Sequence, residues 1–372
     1  MADHPYKSAP PRTSWRRSVG GVAPGEVDPV GDFGLTINRE TNVATAGSCF
    51  AQHIARYLRK SGYNYFVAER GHPVLPENVR IANNYGLFSA RYGNIYTARQ
   101  LLQLFERAHG LFTPVEDCWK EAEDVFLDPF RPSVQPGGFI SELEMRLDRD
   151  QHLKHVRRMF RKLDVFIFTL GLTECWVSRA DGAVFPICPG VEGGRFDENR
   201  HAFCNETVDD VVGEMSAFLM QLARVNPKAQ VILTVSPVPL AATARRDQHV
   251  LTATTYSKSV LRVAAEMLTN RFGHVHYFPS YEIITGSFSR GAYYAPDLRN
   301  VLENGVSHVM GLFMKHVAGE APASAPKRDR DDDESAATSQ AANDQRELAA
   351  RLVEVECDEA GLDPEPNAAS GN

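Results

Sequence analysis

The sequence predicts an α/β protein, a three-layer sandwich in which a mainly parallel sheet lies between helices. Two observations lead to this fold class. Short apolar runs of strand length recur through the body of the chain, and stretches with helical periodicity lie between them. No internal repeat is visible in the sequence. Alternation of this kind is typical of parallel sheets, because a helix returns the chain to the end of the sheet where the next strand starts.

The first predicted strand, at 43–46, leads into a helix at 49–61, and a second strand follows at 63–67. The alternation continues with helices at 97–108, 148–163, 208–225 and 254–272 and with strands at 164–170, 230–235 and 275–278. Between 110 and 145 the chain carries Pro and Gly with little periodicity. We expect that region to be a long insertion or a lid rather than a separate domain.

Composition limits the partners of this chain. Its 372 residues are 43% hydrophobic, which is enough to bury a large core. The formal net charge is −7, but the residues from Glu320 onward hold 14 acidic and 5 basic side chains, so the body is close to neutral. Because the residues before 320 carry no strong net positive charge, a nucleic-acid partner is not expected. The six cysteines show no CxxC spacing, so we expect no metal site, no cofactor and no disulfide framework.

Three segments of different composition are expected. Residues 1–34 are rich in Pro, Gly and Ser and predict a flexible arm, 35–318 form the α/β domain, and 319–372 form an acidic, mostly disordered tail. Apolar residues at helical spacing within 346–355 indicate either a short docking helix or a transient one. The N-terminus lacks the apolar core of a signal peptide and no run is long enough to span a membrane, so we expect a cytoplasmic protein.

A glycine–serine pair stands where the first predicted strand passes into the first predicted helix. Small residues lead up to Gly47 and Ser48, and the helical pattern follows at once. A serine on such a tight loop, with the N–H groups of a helix beside it, is placed as the nucleophile of acyl transfer needs to be. The same pattern also suits a helix N-cap, so the local residues leave both roles open for Ser48.

Further polar segments follow the later predicted strands. They are Gly171-Leu172-Thr173-Glu174, Ser236-Pro237-Val238-Pro239, and a C-terminal set of Asp297, Asn300 and His308. Ligands of open parallel sheets bind beyond the carboxyl ends of the strands. We therefore expect the loops after the strands to converge near Ser48.

Together these segments resemble the GSCFA family, whose name stands here in one-letter code at residues 47–51, and through it the SGNH-hydrolase superfamily of esterases and acyl hydrolases. The resemblance covers roughly residues 35–317 of the chain. It implies an SGNH-hydrolase-like fold with Ser48 as the nucleophile. It also implies that the backbone N–H groups of Ser48 and Cys49 bind the oxyanion of the reaction.

The resemblance implies two more oxyanion-hole positions. Gly93, with Asn94 after it, falls where the superfamily places its second oxyanion-hole glycine, and an ordinary Gly-Asn turn is the alternative. The third donor is usually the asparagine of a Gly-x-Asn-Asp loop, whereas Thr173 stands in that place after Gly171 and can donate one hydrogen bond through its hydroxyl. Ionised Glu174 cannot donate, so we expect it either to line the pocket or to form an ion pair or a cap.

The C-terminal motif departs from the superfamily pattern. Its members commonly carry Asp-x-x-His, which supplies the base and its orienting carboxylate, but residues 297–300 read Asp-Leu-Arg-Asn here. An asparagine amide takes no proton near neutral pH, so Asn300 is expected to bind substrate. His308 is the nearest substitute base, oriented by Asp297, and a packing role is its alternative. His53, on the first predicted helix, is the other candidate base.

Other reactive side chains near these segments have simpler explanations. Cys49 is expected to be a small buried apolar residue rather than a nucleophile. Lys258 and Arg262, on the helix at 254–272, are expected to be solvated or ion-paired.

Two classes of function follow from this reading. The first is a serine-dependent esterase or O-acyl (acetyl) transferase that acts on a carbohydrate or a related acylated substrate, with a family-level link to polysaccharide metabolism. The alternative is a protein of the same fold with blunted catalysis that binds a glycan or an acylated partner. The sequence leaves the acyl group, the acceptor and the oligomeric state open.

Overall fold

The computed structural model describes residues 4–48 and 50–319. Its strands are β1 (Val43–Gly47), β2 (Trp119–Ala122), β3 (Val125–Leu127), β4 (Val165–Leu170), β5 (Glu174–Ser178), β6 (Val184–Phe185), β7 (His201–Asn205), β8 (Gln230–Val235) and β9 (Val275–Tyr277). Its helices are α1 (Phe50–Lys60), α2 (Glu77–Ala82), α3 (Ala98–His109), α4 (Glu142–Lys162), α5 (Val208–Val225), α6 (Val250–Arg271), α7 (Ser280–Thr285) and α8 (Glu303–His316).

A four-stranded parallel sheet in the order β1-β4-β8-β9 forms the middle layer. Successive residues of a strand point to opposite faces. In β4, Phe166 and Phe168 pack into the apolar cluster that holds α3, α4, α5 and α6, whereas Val165 and Ile167 pack into the cluster that holds α1, α7 and α8. The predicted α/β architecture, a mainly parallel sheet between two helical layers, is confirmed.

A second, three-stranded antiparallel sheet in the order β6-β5-β7 follows β4 directly along the chain. The antiparallel hairpin of β2 and β3 lies against it, because Trp119 and Leu127 share an apolar cluster with Phe185. The prediction of an insertion at 110–145 did not include this hairpin, because its strands are too short to show an alternation of apolar and polar residues. The β5 strand starts at the end of the 171–173 loop, so this sheet borders the candidate site.

The predicted strand at 63–67 is wrong. Tyr65 forms only an isolated parallel bridge with Val43 of β1. The Phe66 N–H still donates to the Val43 carbonyl, but the Ala68 N–H donates to the Ser89 carbonyl. The segment leaves β1 at that point because its next backbone donor is satisfied by a different loop.

Two predicted helices begin earlier than their apolar periodicity suggested. The α4 helix starts at Glu142 rather than 148, because the Ser141 side chain accepts a hydrogen bond from the Glu144 N–H as an N-cap. The α6 helix starts at Val250 rather than 254, with His249 in the same capping position.

The described part of the N-terminal arm contacts the body of the protein. The Asp28 carboxylate accepts hydrogen bonds from Lys315 and His316 near the end of α8, each at 2.7 Å. Val27 and Val30 are buried beside these contacts. This part of the arm is therefore held against the helical layer of α1, α7 and α8.

The acidic tail lies outside the described residues. Both predictions for it, the disorder of 319–372 and the helix within 346–355, therefore fall almost wholly beyond Gly319, the last described residue. Within residues 4–48 and 50–319, none of the helices combines the length and the apolar character that crossing a membrane requires.

Candidate active site

Three loops meet at the carboxyl ends of β1 and β4. The Ile95 N–H donates to the Gly47 carbonyl at 2.9 Å, which joins the 93–97 loop to the end of β1. The N–H groups of Gly171 and Leu172 both donate to the Tyr96 carbonyl at 3.0 Å. The loop that follows β4 is thereby joined to the same 93–97 segment. The expected convergence of the loops at 47–48, 93–94 and 171–173 is present.

Gly47 permits the close approach of β1 to β4 at this point. Its φ of +136° lies in a region that side-chain-bearing residues rarely adopt. A Cβ atom at this position would lie 2.4 Å from the Thr169 carbonyl oxygen and 2.7 Å from the Thr169 Cβ. The Ser48 N–H then donates to the Thr169 carbonyl at 3.4 Å, so this N–H is already engaged in the unliganded protein.

The Ser48 hydroxyl is buried and makes no hydrogen bond to any of the described residues. Ser48 is only 3% exposed, and its carbonyl accepts from the Ala51 N–H in the first turn of α1. The side chain therefore does not act as an N-cap toward the described part of α1. Cys49, which follows it, lies outside the described residues, and so do its predicted oxyanion contact and its predicted burial.

Two carboxamide side chains lie near Ser48: that of Gln52 on α1, and that of Asn94 in the 93–97 loop that is hydrogen-bonded to the end of β1. Gln52, on the first turn of α1, donates from Nε2 to Asn94 Oδ1 at 3.5 Å, and its own Oε1 has no partner among the described residues. Gln100 fixes the Asn94 backbone by donating to the Asn94 carbonyl at 2.9 Å. Gly93 adopts a φ of +70° with open space around its missing Cβ. The sequence reading missed Gln52, although its spacing of four residues from Ser48 was a usable signal.

Thr173 and Glu174 are engaged in hydrogen bonds of their own. The Thr173 hydroxyl donates to Asn205 Oδ1 at 2.6 Å, and the Thr173 N–H donates to Ser257 Oγ at 3.1 Å. The Glu174 carboxylate accepts from the Thr243 hydroxyl at 2.7 Å and from the Ala244 N–H at 3.2 Å. In this state the Thr173 hydroxyl is directed to the end of β7, and Glu174 holds the loop that precedes α6.

Lys258 differs from the sequence expectation. The side chain is 1% exposed rather than solvated, and its Nζ donates to the Gly171 carbonyl at 2.8 Å. Arg262, one turn further along α6, is ion-paired with Glu266 and Glu282 as expected. A buried ammonium beside the 171–173 loop was not detectable from the pattern of α6, because its burial depends on a loop 87 residues away.

Asp297 and Asn300 form a local turn. The Asp297 carboxylate accepts from the backbone N–H groups of Arg299 and Asn300 at 3.0 Å and from Asn300 Nδ2 at 2.5 Å. Burial acts to raise the pKa of Asp297, but these hydrogen bonds outweigh it and hold the pKa below its ordinary value. Among the hydrogen bonds of the described residues, Asp297 makes none to His308. The predicted orienting contact is therefore not formed in this state.

His308 hydrogen-bonds to a tyrosine instead. Its Nδ1 lies 2.8 Å from the Tyr293 hydroxyl, and its Nε2 has no partner among the described residues. Burial lowers the pKa of His308, while contact with the Val27 backbone and the charge of Asp28 act in the opposite direction. His308 thus lies against the N-terminal arm, and its lowered pKa favours the uncharged imidazole.

His53 is a partly buried imidazole on α1. Burial, assisted by the charge of Arg56, lowers the pKa of His53 to about 4. Its ring lies 5.7 Å from the ring of Phe50 in a tilted aromatic contact. Within residues 4–48 and 50–319, no group of three His, Cys, Asp or Glu side chains is arranged to hold a metal ion.

The family comparison covers the whole of this site. Residues 42–313 match the family model described as the GSCFA family. The matched range begins directly before β1 and ends within α8, so it contains the central sheet and each of the loops described above. A search of curated proteins found no match to this chain.

Proposed function

Because the chain belongs to the GSCFA family, we propose that it is a serine-dependent enzyme of acyl esters, an esterase or an O-acyltransferase, with Ser48 as the nucleophile. The observation that carries this proposal is the Ser48 hydroxyl, which is buried at the carboxyl end of β1 without a partner among the described residues. A buried hydroxyl without a hydrogen bond costs about 1–3 kcal/mol. A substrate or a proton acceptor that reaches this hydroxyl offsets that cost.

The proposed reaction begins with attack of Ser48 Oγ on the acyl carbonyl carbon. The oxygen of that carbonyl becomes an oxyanion and needs hydrogen-bond donors. Gln52 Nε2 is one proposed donor, because its bond to Asn94 Oδ1 is at the long limit for a hydrogen bond and exchanges readily for an oxyanion. Thr173 serves as a donor only after its hydroxyl leaves Asn205. Collapse of the intermediate leaves an acyl-Ser48 ester that water or an acceptor hydroxyl then attacks.

The serine proton has to pass to a base during the attack. We propose His308 for this role, because its Nδ1 is already bound by Tyr293 while its Nε2 is not hydrogen-bonded to any described residue. Tyr293 then orients the ring, in place of Asp297. Catalytic hydrogen bonds are often long or unformed in unliganded enzymes and tighten with substrate. Asn300 and Asn94 are proposed to contact the substrate, and an acylated carbohydrate is the substrate class that the family resemblance suggests.

A second candidate function is binding without catalysis. The observation that favours it is that both parts of the predicted relay have other partners: Asp297 binds Asn300, and His308 binds Tyr293. In that case the buried polar atoms around Ser48 recognise a glycan or an acylated partner and form no covalent bond to it. The cytoplasmic location and the link to polysaccharide metabolism stay predictions under either function.

Labelling with a small fluorophosphonate separates the two functions. The full-length protein should become covalently labelled, and Ser48→Ala should not. Ser280→Ala is the matched control, because Ser280, the first residue of α7, is also buried with a hydroxyl that has no partner among the described residues. Labelling of Ser280→Ala at the wild-type level supports the enzyme. Equal labelling of Ser48→Ala and wild type, or no labelling of either, contradicts it.

A further inference from the structure

Cys175 and Cys204 face each other across the antiparallel pair of β5 and β7. Two residues before Cys175, the Thr173 carbonyl accepts from the Glu206 N–H, so the alternation of the ladder makes Cys175 and Cys204 a hydrogen-bonded pair. Opposite residues of this kind have Cα atoms about 5.5 Å apart. That separation lies inside the range of about 4.4–6.8 Å that disulfides span. Both side chains also point to the same face of the sheet.

A guanidinium from another element lies beside this pair. Arg99 of α3 donates from Nη1 to Cys204 Sγ at 3.9 Å. The hydrogen bond from Cys175, together with the charge of Arg99, lowers the pKa of Cys204 to about 6 against the opposing effects of burial and Asp210. Burial raises the pKa of the neighbouring Glu206 to about 9, so that carboxyl group is uncharged at pH 7. Cys204 is therefore largely a thiolate at neutral pH.

The two cysteines differ in access to solvent. Cys204 is partly exposed, whereas Cys175 is only 8% exposed. Burial raises the pKa of Cys188 to about 11, and burial also raises the pKa of Cys118. Thiolate character and partial exposure coincide at Cys204 among the cysteines of the described residues.

We propose that Cys204 and Cys175 are a peroxide-reactive thiol pair that closes to a cross-strand disulfide. In the first step the Cys204 thiolate attacks one peroxide oxygen, so that the S–O bond forms, the O–O bond breaks, and the leaving hydroxide takes a proton to become water. In the second step Cys175 attacks Cys204 Sγ, the S–S bond forms and the S–O bond breaks. The proton of Cys175 leaves with that hydroxide as a second water. Two thiols are oxidised and one peroxide is reduced.

The second step is favoured by the first. The pKa of Cys175 stands well above its ordinary value, primarily because its thiol donates a hydrogen bond to Cys204 and secondarily because it is buried. Once Cys204 is a neutral sulfenic acid, the negative charge that held this proton is gone. Cys175 then becomes the resolving thiol, and it is already placed opposite the sulfur that it attacks.

The disulfide would join the two strands next to the 171–173 loop. Glu174 and Asn205 are the cross-strand neighbours of this pair, and Asn205 accepts the Thr173 hydroxyl. Oxidation would tie the strand that carries Asn205 to the strand that begins beside Thr173. The thiol pair itself requires no catalytic role of Ser48, so its test is independent of the proposed function.

The test is exposure of the reduced full chain to hydrogen peroxide, followed by alkylation and peptide mapping without reduction. We expect a peptide pair linked through Cys175 and Cys204 that dithiothreitol separates. The pKa of Cys204 is lowered, whereas burial raises the pKa of Cys188, so the reactive thiolate is populated mainly at Cys204. Cys204 should therefore be consumed faster than Cys188.

Three variants sharpen this result. Cys175→Ser should accumulate a sulfenic acid at Cys204 that dimedone traps, Cys204→Ser should leave Cys175 reduced, and the matched control Cys188→Ser should form the disulfide at the wild-type rate. Peroxide-treated wild type in which Cys175 and Cys204 both remain alkylatable would overturn the proposal without any variant. A linkage of Cys204 to a cysteine other than Cys175 would overturn it as well.

Discussion

Replacing Gly47 by alanine should damage both the central sheet and the candidate site. The new Cβ would meet the Thr169 carbonyl oxygen at 2.4 Å, the Thr169 Cβ at 2.7 Å and the Thr169 nitrogen at 2.8 Å. These are atoms of the neighbouring strand, so relief requires β1 and β4 to move apart. Overpacking of this kind costs about 1–3 kcal/mol. The φ of +136° adds about 1–3 kcal/mol, because a residue with a side chain rarely adopts it.

The expected loss of unfolding free energy for Gly47→Ala is therefore about 2–6 kcal/mol, to be measured by urea denaturation. Gly213→Ala is the matched control, since Gly213 lies inside α5 and a Cβ added there would meet nothing within 4 Å. Alanine is the better helix former, so this control should gain roughly 0.5–1 kcal/mol. If the sheet separates locally, fluorophosphonate labelling of folded Gly47→Ala should also fall, because Ser48 is the next residue. A Gly47→Ala protein within 0.5 kcal/mol of wild type, a margin of about RT, would refute the close-packing argument.

The remaining predictions concern the base, the acid stability and the tail. With p-nitrophenyl acetate as substrate, Ser48→Ala and His308→Ala should each reduce the hydrolysis rate by orders of magnitude, and the two losses should not add. His53→Ala should keep its activity. An active His308→Ala beside an inactive Ser48→Ala would show that another residue is the base. The pKa of His53 is lowered to about 4 from 6.5, so the unfolded chain binds the extra proton first and stability should fall as the pH falls from about 6.5 to 4. His53 accounts for a share of that loss on the order of 3 kcal/mol. In urea denaturation, the unfolding free energy of His53→Gln should therefore depend less steeply on pH across this range than that of wild type. Parallel curves for the two proteins would show that the imidazole is not buried as described. Truncation after Gly319 should leave the melting temperature unchanged, and a large decrease would mean that the tail packs on the body.

The sequence alone determined the architecture and the place of the candidate nucleophile. The strands β4 and β8 are nearly continuous apolar runs, and the helix between them has apolar residues at helical spacing. Both kinds of element can therefore be recognised from a short stretch of sequence. The position of Ser48 at the end of β1 follows from the same local pattern, because a parallel strand of this fold has a loop at its carboxyl end. The wrong strand at 63–67 arose where a backbone bond to a distant loop ended the pairing with β1. The two late helix starts arose where a capping side chain, rather than an apolar residue, begins the helix.

The tertiary structure alone decided which side chains are engaged and which are not. The Thr173 hydroxyl binds Asn205, 32 residues later, and the Gly171 carbonyl binds Lys258, 87 residues later. Cys175 and Cys204 are opposite each other because β5 and β7 pair, and neither strand shows a long enough period to predict that register. Hydrogen bonding and charge depend on distances of a few ångströms between elements, and a linear pattern of apolar residues carries no information about those distances.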